Sequence, residues 1–256
     1  MRVLSVARDL QRRHARERQK LFVAEGVRVV DELLRSPLVI RGALSALTGA
    51  ADGRAMALVN TLRERGIPVQ EVSAAEFGSA ADTDTPQGLL AVAEIPQHTL
   101  SSLSIDARSR LVILDAVQDP GNVGTIIRTA DALGAVATVA LPGTVDLWNA
   151  KVVRSSMGAH FHHPAFASTW GELTTFLADR EIALWGADMA GEPLDTVVRD
   201  RGGIPSPLAL VVGNEGGGLS AEARKRAGKL VALPIAAVES LNVAVATGII
   251  LYELRR

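Results

Sequence analysis

Short, continuous apolar runs alternating with helix-length amphipathic segments constrain this chain more than any other feature. LVILDAV, starting at Leu111, opens with four apolar residues and no polar alternation, as a strand buried on both faces of a parallel sheet requires. The GNVGTIIRTADALGA that follows places Ile126, Ile127, Ala130 and Leu133 on one helical stripe and stops at Gly134. VATVALP is the next strand. Further strands are predicted over 161–166, 182–187, 208–212 and 229–233, with helices over 146–157, 170–178 and 220–227. This succession predicts an α/β fold with helices on both faces of a parallel sheet. The last helix, over 240–254, is apolar nearly all round and must be covered on most sides; a second copy of the chain is a natural cover.

The preceding part reads as a smaller α/β unit. A basic helix is predicted over 8–19 and a strand over 21–24. GVRVVDELLRS then carries Val27, Val30, Leu33 and Leu34 on one helical stripe. Strands follow over 38–43, 67–72 and 88–93, with helices over 51–65 and 74–80. The polar, serine-rich stretch that Pro96 opens separates the two parts, so the expected division is 1–96, a linker over 97–109, and 110–256. Residues 1–20 hold seven basic side chains against two acidic ones in a chain of net charge −1. Such a cluster suits either a polyphosphate partner or a solvated helix face.

The absence of cysteine excludes disulfides, thiolate metal sites and cysteine nucleophiles. The first twenty residues lack the apolar stretch of a secretory signal, and no apolar run reaches the roughly 20 residues needed to cross a bilayer. The expectation is a cytoplasmic protein without membrane contact. His160, His162 and His163 invite a metal reading, but on a strand only the first two would share a face, and no nearby carboxylate completes a set. No metal is expected.

Three segments carry chemistry. In the first, Asn122, Gly124 and Arg128 lie where a buried strand gives way to a helix, the place where open α/β sheets collect ligands. Asn122 is equally an N-cap candidate, and Arg128 can pair with Asp131. In the second, glycines 213, 216, 217 and 218 fail the G-x-G-x-x-G spacing of a dinucleotide site. Glu215 puts a negative charge where a pyrophosphate would sit, so the loop suits a ligand that is not a phosphate. Its alternative reading is a turn with Ser220 as helix cap. In the third, Ser240 is positioned to cap the last helix, leaving Asn242 as an amide inside apolar surroundings, costly unless bonded.

Together the segments resemble the SpoU family of S-adenosylmethionine-dependent RNA ribose 2′-O-methyltransferases, within the SPOUT superfamily. N-x-G-x-x-x-R is matched by Asn122, Gly124 and Arg128. V-x-G-x-E-x-x-G is matched by Val211, Gly213, Glu215 and Gly218. A proline followed by S-L-N-V is matched by Pro234 and by Ser240, Leu241, Asn242 and Val243. Lys20, Phe22, Glu25, Gly26 and Val30 resemble the family's ribosomal-protein-like RNA-binding extension. One departure stands out: the family has a glycine in this stretch and its serine seven positions after the proline, whereas in PIAAVES the serine comes six positions after and there is no glycine.

The resemblance implies a trefoil-knotted C-terminal domain, a homodimer completing two sites across its interface, and S-adenosylmethionine as methyl donor. It implies an RNA substrate, most readily ribosomal. A transfer RNA substrate and an RNA-binding protein without activity are the alternatives. Arg128, Asn122, Glu215, Ser240 and Asn242 are the implied catalytic set. Gly213, Asn214, Leu233, Ile235, Leu241 and Val243 are the implied cofactor contacts. Arg128 stays protonated at ordinary pH, so it is better suited to stabilise a developing alkoxide or hold a phosphate than to act as a base.

Overall fold

A computed structural model describes residues 2–47, 53–199, 204–236 and 240–254. The first elements in chain order are α1 (Val3–Asp9), α2 (Arg13–Gln19), β1 (Leu21–Glu25), α3 (Val27–Arg35), β2 (Ile40–Ser45), α4 (Gly53–Glu64), β3 (Val69–Glu71), α5 (Ala74–Gly78) and β4 (Leu89–Glu94). They are followed by β5 (Arg110–Asp115), α6 (Pro120–Ala132), β6 (Ala137–Ala140), α7 (Ala150–Ser155), β7 (Ala165–Ala167), α8 (Trp170–Asp179), β8 (Ala183–Pro193), α9 (Leu194–Arg199), β9 (Leu208–Gly213), α10 (Ala221–Arg226), β10 (Lys229–Ala232) and α11 (Val243–Leu254). Two compact units result: Met1–Gln97 with Trp148–His162, and His98–Leu147 with His163–Arg256.

In the first unit the sheet order is β1-β4-β2-β3, with only the β2–β3 pair parallel. Val3, Ala7, Leu44, Phe77, Leu90 and Val92 build a core beneath it. The basic segment is two helices rather than one. Arg16, only 5% exposed, folds back so that its Nη1 donates to the carbonyls of Leu10 at 2.7 Å and Gln11 at 2.9 Å, filling acceptors at the end of α1.

The sequence places 146–157 with the second part, but its helix α7 packs on β1. Phe22 of β1 meets Trp148 with ring centroids 4.5 Å apart and Phe161 at 5.8 Å, and Trp148 stacks on His160 at 4.0 Å. At Gly158, with φ +95°, a Cβ would stand 2.6 Å from the Cβ of Glu32, so only glycine allows this approach to α3. The expected strand over 161–166 is shorter, because Ala159–Phe161 form a 3-10 turn and pairing starts at Ala165.

The second unit carries a six-stranded sheet in the order β10-β8-β9-β5-β6-β7, parallel throughout. The central strands β9 and β5 are buried almost end to end, as continuous apolar runs demand. Leu100 and Leu103 of the polar stretch after Pro96 join this core beside Ile113, Val139 and Val211. The helix α9 was not anticipated. No described helix is long and apolar enough to cross a membrane.

Candidate active site

The three loops converge on the C-terminal side of the central strands β5 and β9. Pro120 opens α6 with a preset φ and no orphaned donor, and Asp119 is its N-cap, accepting from the Asn122 amide at 2.8 Å. Asn122 is therefore not the cap, which leaves its side chain free for the other loops. Its Nδ2 donates to Glu215 Oε1 at 3.0 Å, and its Oδ1 accepts from Asn242 Nδ2 at 2.8 Å. One amide thus links the second segment to the third.

Glu215 also accepts from the backbone amides of Gln118 at 3.2 Å and Asp119 at 3.1 Å. Partial burial pushes its carboxyl up. The donors from Asn122, its own backbone, Gln118 and Asp119 outweigh that and hold it below the usual glutamate range. Glu215 is ionised at neutral pH and serves as the knot of a hydrogen-bond net.

The glycine loop is shaped by Asn214. Its Oδ1 accepts from the amides of Gly216 at 2.9 Å and Gly217 at 3.0 Å, while its Nδ2 donates to the Ala116 carbonyl at 2.9 Å. Asn214 and Gly218 then exchange both backbone hydrogen bonds at 2.9 Å, turning the chain back on the end of β9. A Cβ on Gly213 would lie 2.3 Å from the carbonyl carbon of Gly218, so this return requires glycine. Ser220 caps α10 through the Ala223 amide at 3.1 Å, and its own amide donates to buried Asp115 at 2.7 Å.

Two expectations for the third segment are corrected. Ser240 does not cap the last helix: Asn242 does, its Oδ1 accepting from Ala244 at 2.9 Å and Val245 at 3.2 Å. Asn242 is also exposed rather than buried in apolar surroundings. The shortened stretch between Pro234 and Ser240 lies partly outside the described residues, at 237–239.

A cavity of about 490 Å³ opens between the second and third of these loops. Gly213, Asn214, Glu215, Leu233, Ile235, Ser240, Leu241, Asn242 and Val243 all line it, with Ala246 and Ile250 of α11. Asn122 reaches it only through its bonds to Glu215 and Asn242. Arg128 is not among the lining residues. It stands exposed on α6, the helix packed against α11, with no hydrogen bond or ion pair from its guanidinium among the described residues. Sequence reasoning missed Asp188 and Arg224, which line the cavity as an ion pair of 2.9 Å; nothing in their spacing marks them.

The histidines separate. His160 stacks in the first unit, His162 is exposed, and His163 of the second unit bonds Thr138 Oγ1 at 2.8 Å. Burial, with His98 nearby, lowers the His163 pKa to about 4. Among the described residues no three His, Asp or Glu side chains form a group that could hold a metal ion.

A parallel α/β domain with polar strand-end loops beside a cavity is the framework of an α/β enzyme whose ligands bind at the carboxyl ends of its strands. The profile of the SpoU rRNA methylase family matches residues 109–252, and that of an MRM3-like substrate binding domain matches 5–91. The 23S rRNA (guanosine(2553)-2′-O)-methyltransferase RlmP of Bacillus subtilis is 33% identical over 97% of this chain and 94% of its own length. The 23S rRNA (guanosine-2′-O-)-methyltransferase RlmB of Haemophilus influenzae is 34% identical over 82% of this chain and 87% of its own. Among solved structures, an AdoMet-bound rRNA methyltransferase from Sinorhizobium meliloti superimposes with TM-score 0.85 at 29% identity, covering 99% of this chain and 94% of that one. The methyltransferase AviRb of Streptomyces viridochromogenes in complex with AdoMet gives 0.86 at 28%, over 100% and 97%. The chain belongs to the SpoU rRNA methylase family.

Proposed function

We propose that the chain transfers a methyl group from S-adenosylmethionine to a ribose 2′-hydroxyl of ribosomal RNA, in the cytoplasm and as a homodimer. The observation that carries this reading is the Glu215–Asn122–Asn242 chain of hydrogen bonds, which joins all three motifs around one cavity. The relatives named for 23S rRNA favour ribosomal over transfer RNA.

The cavity suits this cofactor better than a polyphosphate ligand. Leu233, Ile235, Leu241 and Val243 supply apolar walls, Gly213 and Asn214 bring backbone close, and the carboxylates of Glu215 and Asp188 line the space. When bound, S-adenosylmethionine supplies an electrophilic methyl on a cationic sulfonium. The chain's own task is positioning and stabilising a developing alkoxide. Glu215, Asn122 and Asn242 hold the loops in register, with Ser240 at the rim. Arg128 is the group for the RNA, as alkoxide stabiliser or phosphate clamp.

Dimerisation fits α11, which exposes Val245, Ile249 and Tyr252 at helical spacing, 52%, 42% and 47% exposed. In the dimer that the resemblance implies, Arg128 acts across the interface, which accounts for its position off the cavity wall of its own chain. The trefoil knot belongs to the same reading, formed by the loops that build the cavity. The first unit, with the Arg154–Gly158 stretch packed into it, holds the RNA.

Incubation with methyl-tritiated cofactor and separate ribosomal and transfer RNA pools tests this reading. Label should enter ribosomal RNA and survive digestion as a 2′-O-methylated nucleoside. Arg128→Ala should abolish it while leaving cofactor affinity and dimer intact. Label on a base, label confined to transfer RNA, or near-normal turnover by Arg128→Ala would reject the corresponding part.

A further inference from the structure

The strand β8 departs from regular pairing at the cavity. Its partner β10 pairs Leu230 with Gly186 and the next residue, Val231, with Glu192. Five residues of β8, 187–191, are therefore accommodated against none on β10. Such bulges re-aim side chains and gather beside active sites. Here the excess puts Ala187, Asp188 and Met189 into the cavity wall.

Asp188 is the chemically loaded member. Its side chain is 7% exposed. Oδ2 pairs with Arg224 Nε at 2.9 Å, and Oδ1 accepts from the Ala190 amide at 3.0 Å. A carboxylate offers about four acceptor sites, so these two contacts leave acceptor capacity on a group that lines the cavity. Arg224, also in the wall, fixes the carboxylate in orientation.

We propose that Asp188 accepts hydrogen bonds from the vicinal ribose hydroxyls of the adenosyl cofactor, and that Arg224 is its positioning residue. The inference rests on the cofactor reading above and deepens it. The Asp188–Arg224 pair carries no net charge, which favours neutral donors over an ammonium group. A vicinal diol presents two donors side by side to one carboxylate. A carboxylate that accepts from ribose hydroxyls is also a recurrent solution in parallel α/β nucleoside sites.

Calorimetry with S-adenosylhomocysteine and its 2′-deoxy and 3′-deoxy forms tests the assignment without turnover. For the wild-type protein, loss of a hydroxyl should weaken binding about tenfold or more. In Asp188→Ala the parent ligand should weaken by a similar factor, and the penalty for either deoxy form should vanish. Arg224→Gln should shrink the penalty without removing it. If Asp188→Ala fails to fold, the isosteric Asp188→Asn is read the same way, with a reduced penalty. A deoxy penalty undiminished in these variants overturns the proposal, as does a wild-type protein that binds parent and deoxy forms equally. If the wild-type protein binds no adenosyl ligand, the cofactor reading itself fails, a separate result.

Discussion

The polar residues of the two units are used in opposite ways. In the first unit, the basic run that looks in sequence like a nucleic-acid footprint is largely tied down locally: Asp9 pairs with Arg12 and Arg18, Glu17 with Arg13, and Arg16 is buried against carbonyls. In the second unit, the residues that matter are mostly uncharged amides tied to one another across loops far apart in sequence. Charge density thus overstated the free basic surface, whereas ordered motifs at strand ends located the cavity. A cation's neighbours decide whether it is available to a phosphate, and those neighbours are legible only once the chain is folded.

The contrast is broken most severely by a chain beginning at His98. A division placed at 97–109 predicts an intact cofactor site in that fragment. The packing of Trp148–His162 in the first unit predicts the reverse, because Trp148 and Phe161 would lose Phe22 and each exposed side chain costs roughly 1.5–3 kcal/mol. Urea unfolding should show a fragment that is unfolded or strongly destabilised; a cooperative transition with full cofactor affinity would restore the simpler division.

A second break is acid stability. His163 is buried neutral, its pKa lowered from 6.5 to about 4. Between those values the unfolded chain takes up a proton that the folded one refuses, so stability falls as pH drops from 6.5 toward 4, by roughly 3 kcal/mol in total. His163→Gln should flatten that slope in denaturant titrations at stepped pH; an unchanged slope would assign the acid loss elsewhere.

The two kinds of arginine give a smaller effect. Arg16→Ala should cost about 2 kcal/mol, since it strips buried acceptors of charged donors. Arg13→Ala should leave the melting temperature unchanged, its pair with Glu17 being exposed on both sides. Equal shifts would show that α2 is a solvated face throughout.

Much of the second unit was legible because its central strands are apolar without alternation and its helices begin and end at capping residues. What escaped has physical reasons. Asn242 reads as an interior amide because the helix start was placed at Ser240, where a hydroxyl also suits a cap. The attachment of 148–162 to β1 is an aromatic contact over more than a hundred residues, invisible to local pattern. The predicted strand ends at 187, short of the residues of β8 that exceed its partner, and nothing in their spacing marks chemistry, so Asp188 carried no signal. Gly213 carried one, since the family motif requires glycine there, and the 2.3 Å approach of Gly218 supplies the cause.

The central claim is that the second and third loops, with the first bonded to both through Asn122, form one cofactor cavity whose shape depends on that approach. Titrating S-adenosylmethionine calorimetrically into wild-type protein and Gly213→Ala, without RNA, tests it most directly. Saturable binding by the wild-type protein and none by a folded Gly213→Ala at millimolar cofactor is the expected result; no binding by the wild-type protein, or equal binding by both, would contradict it.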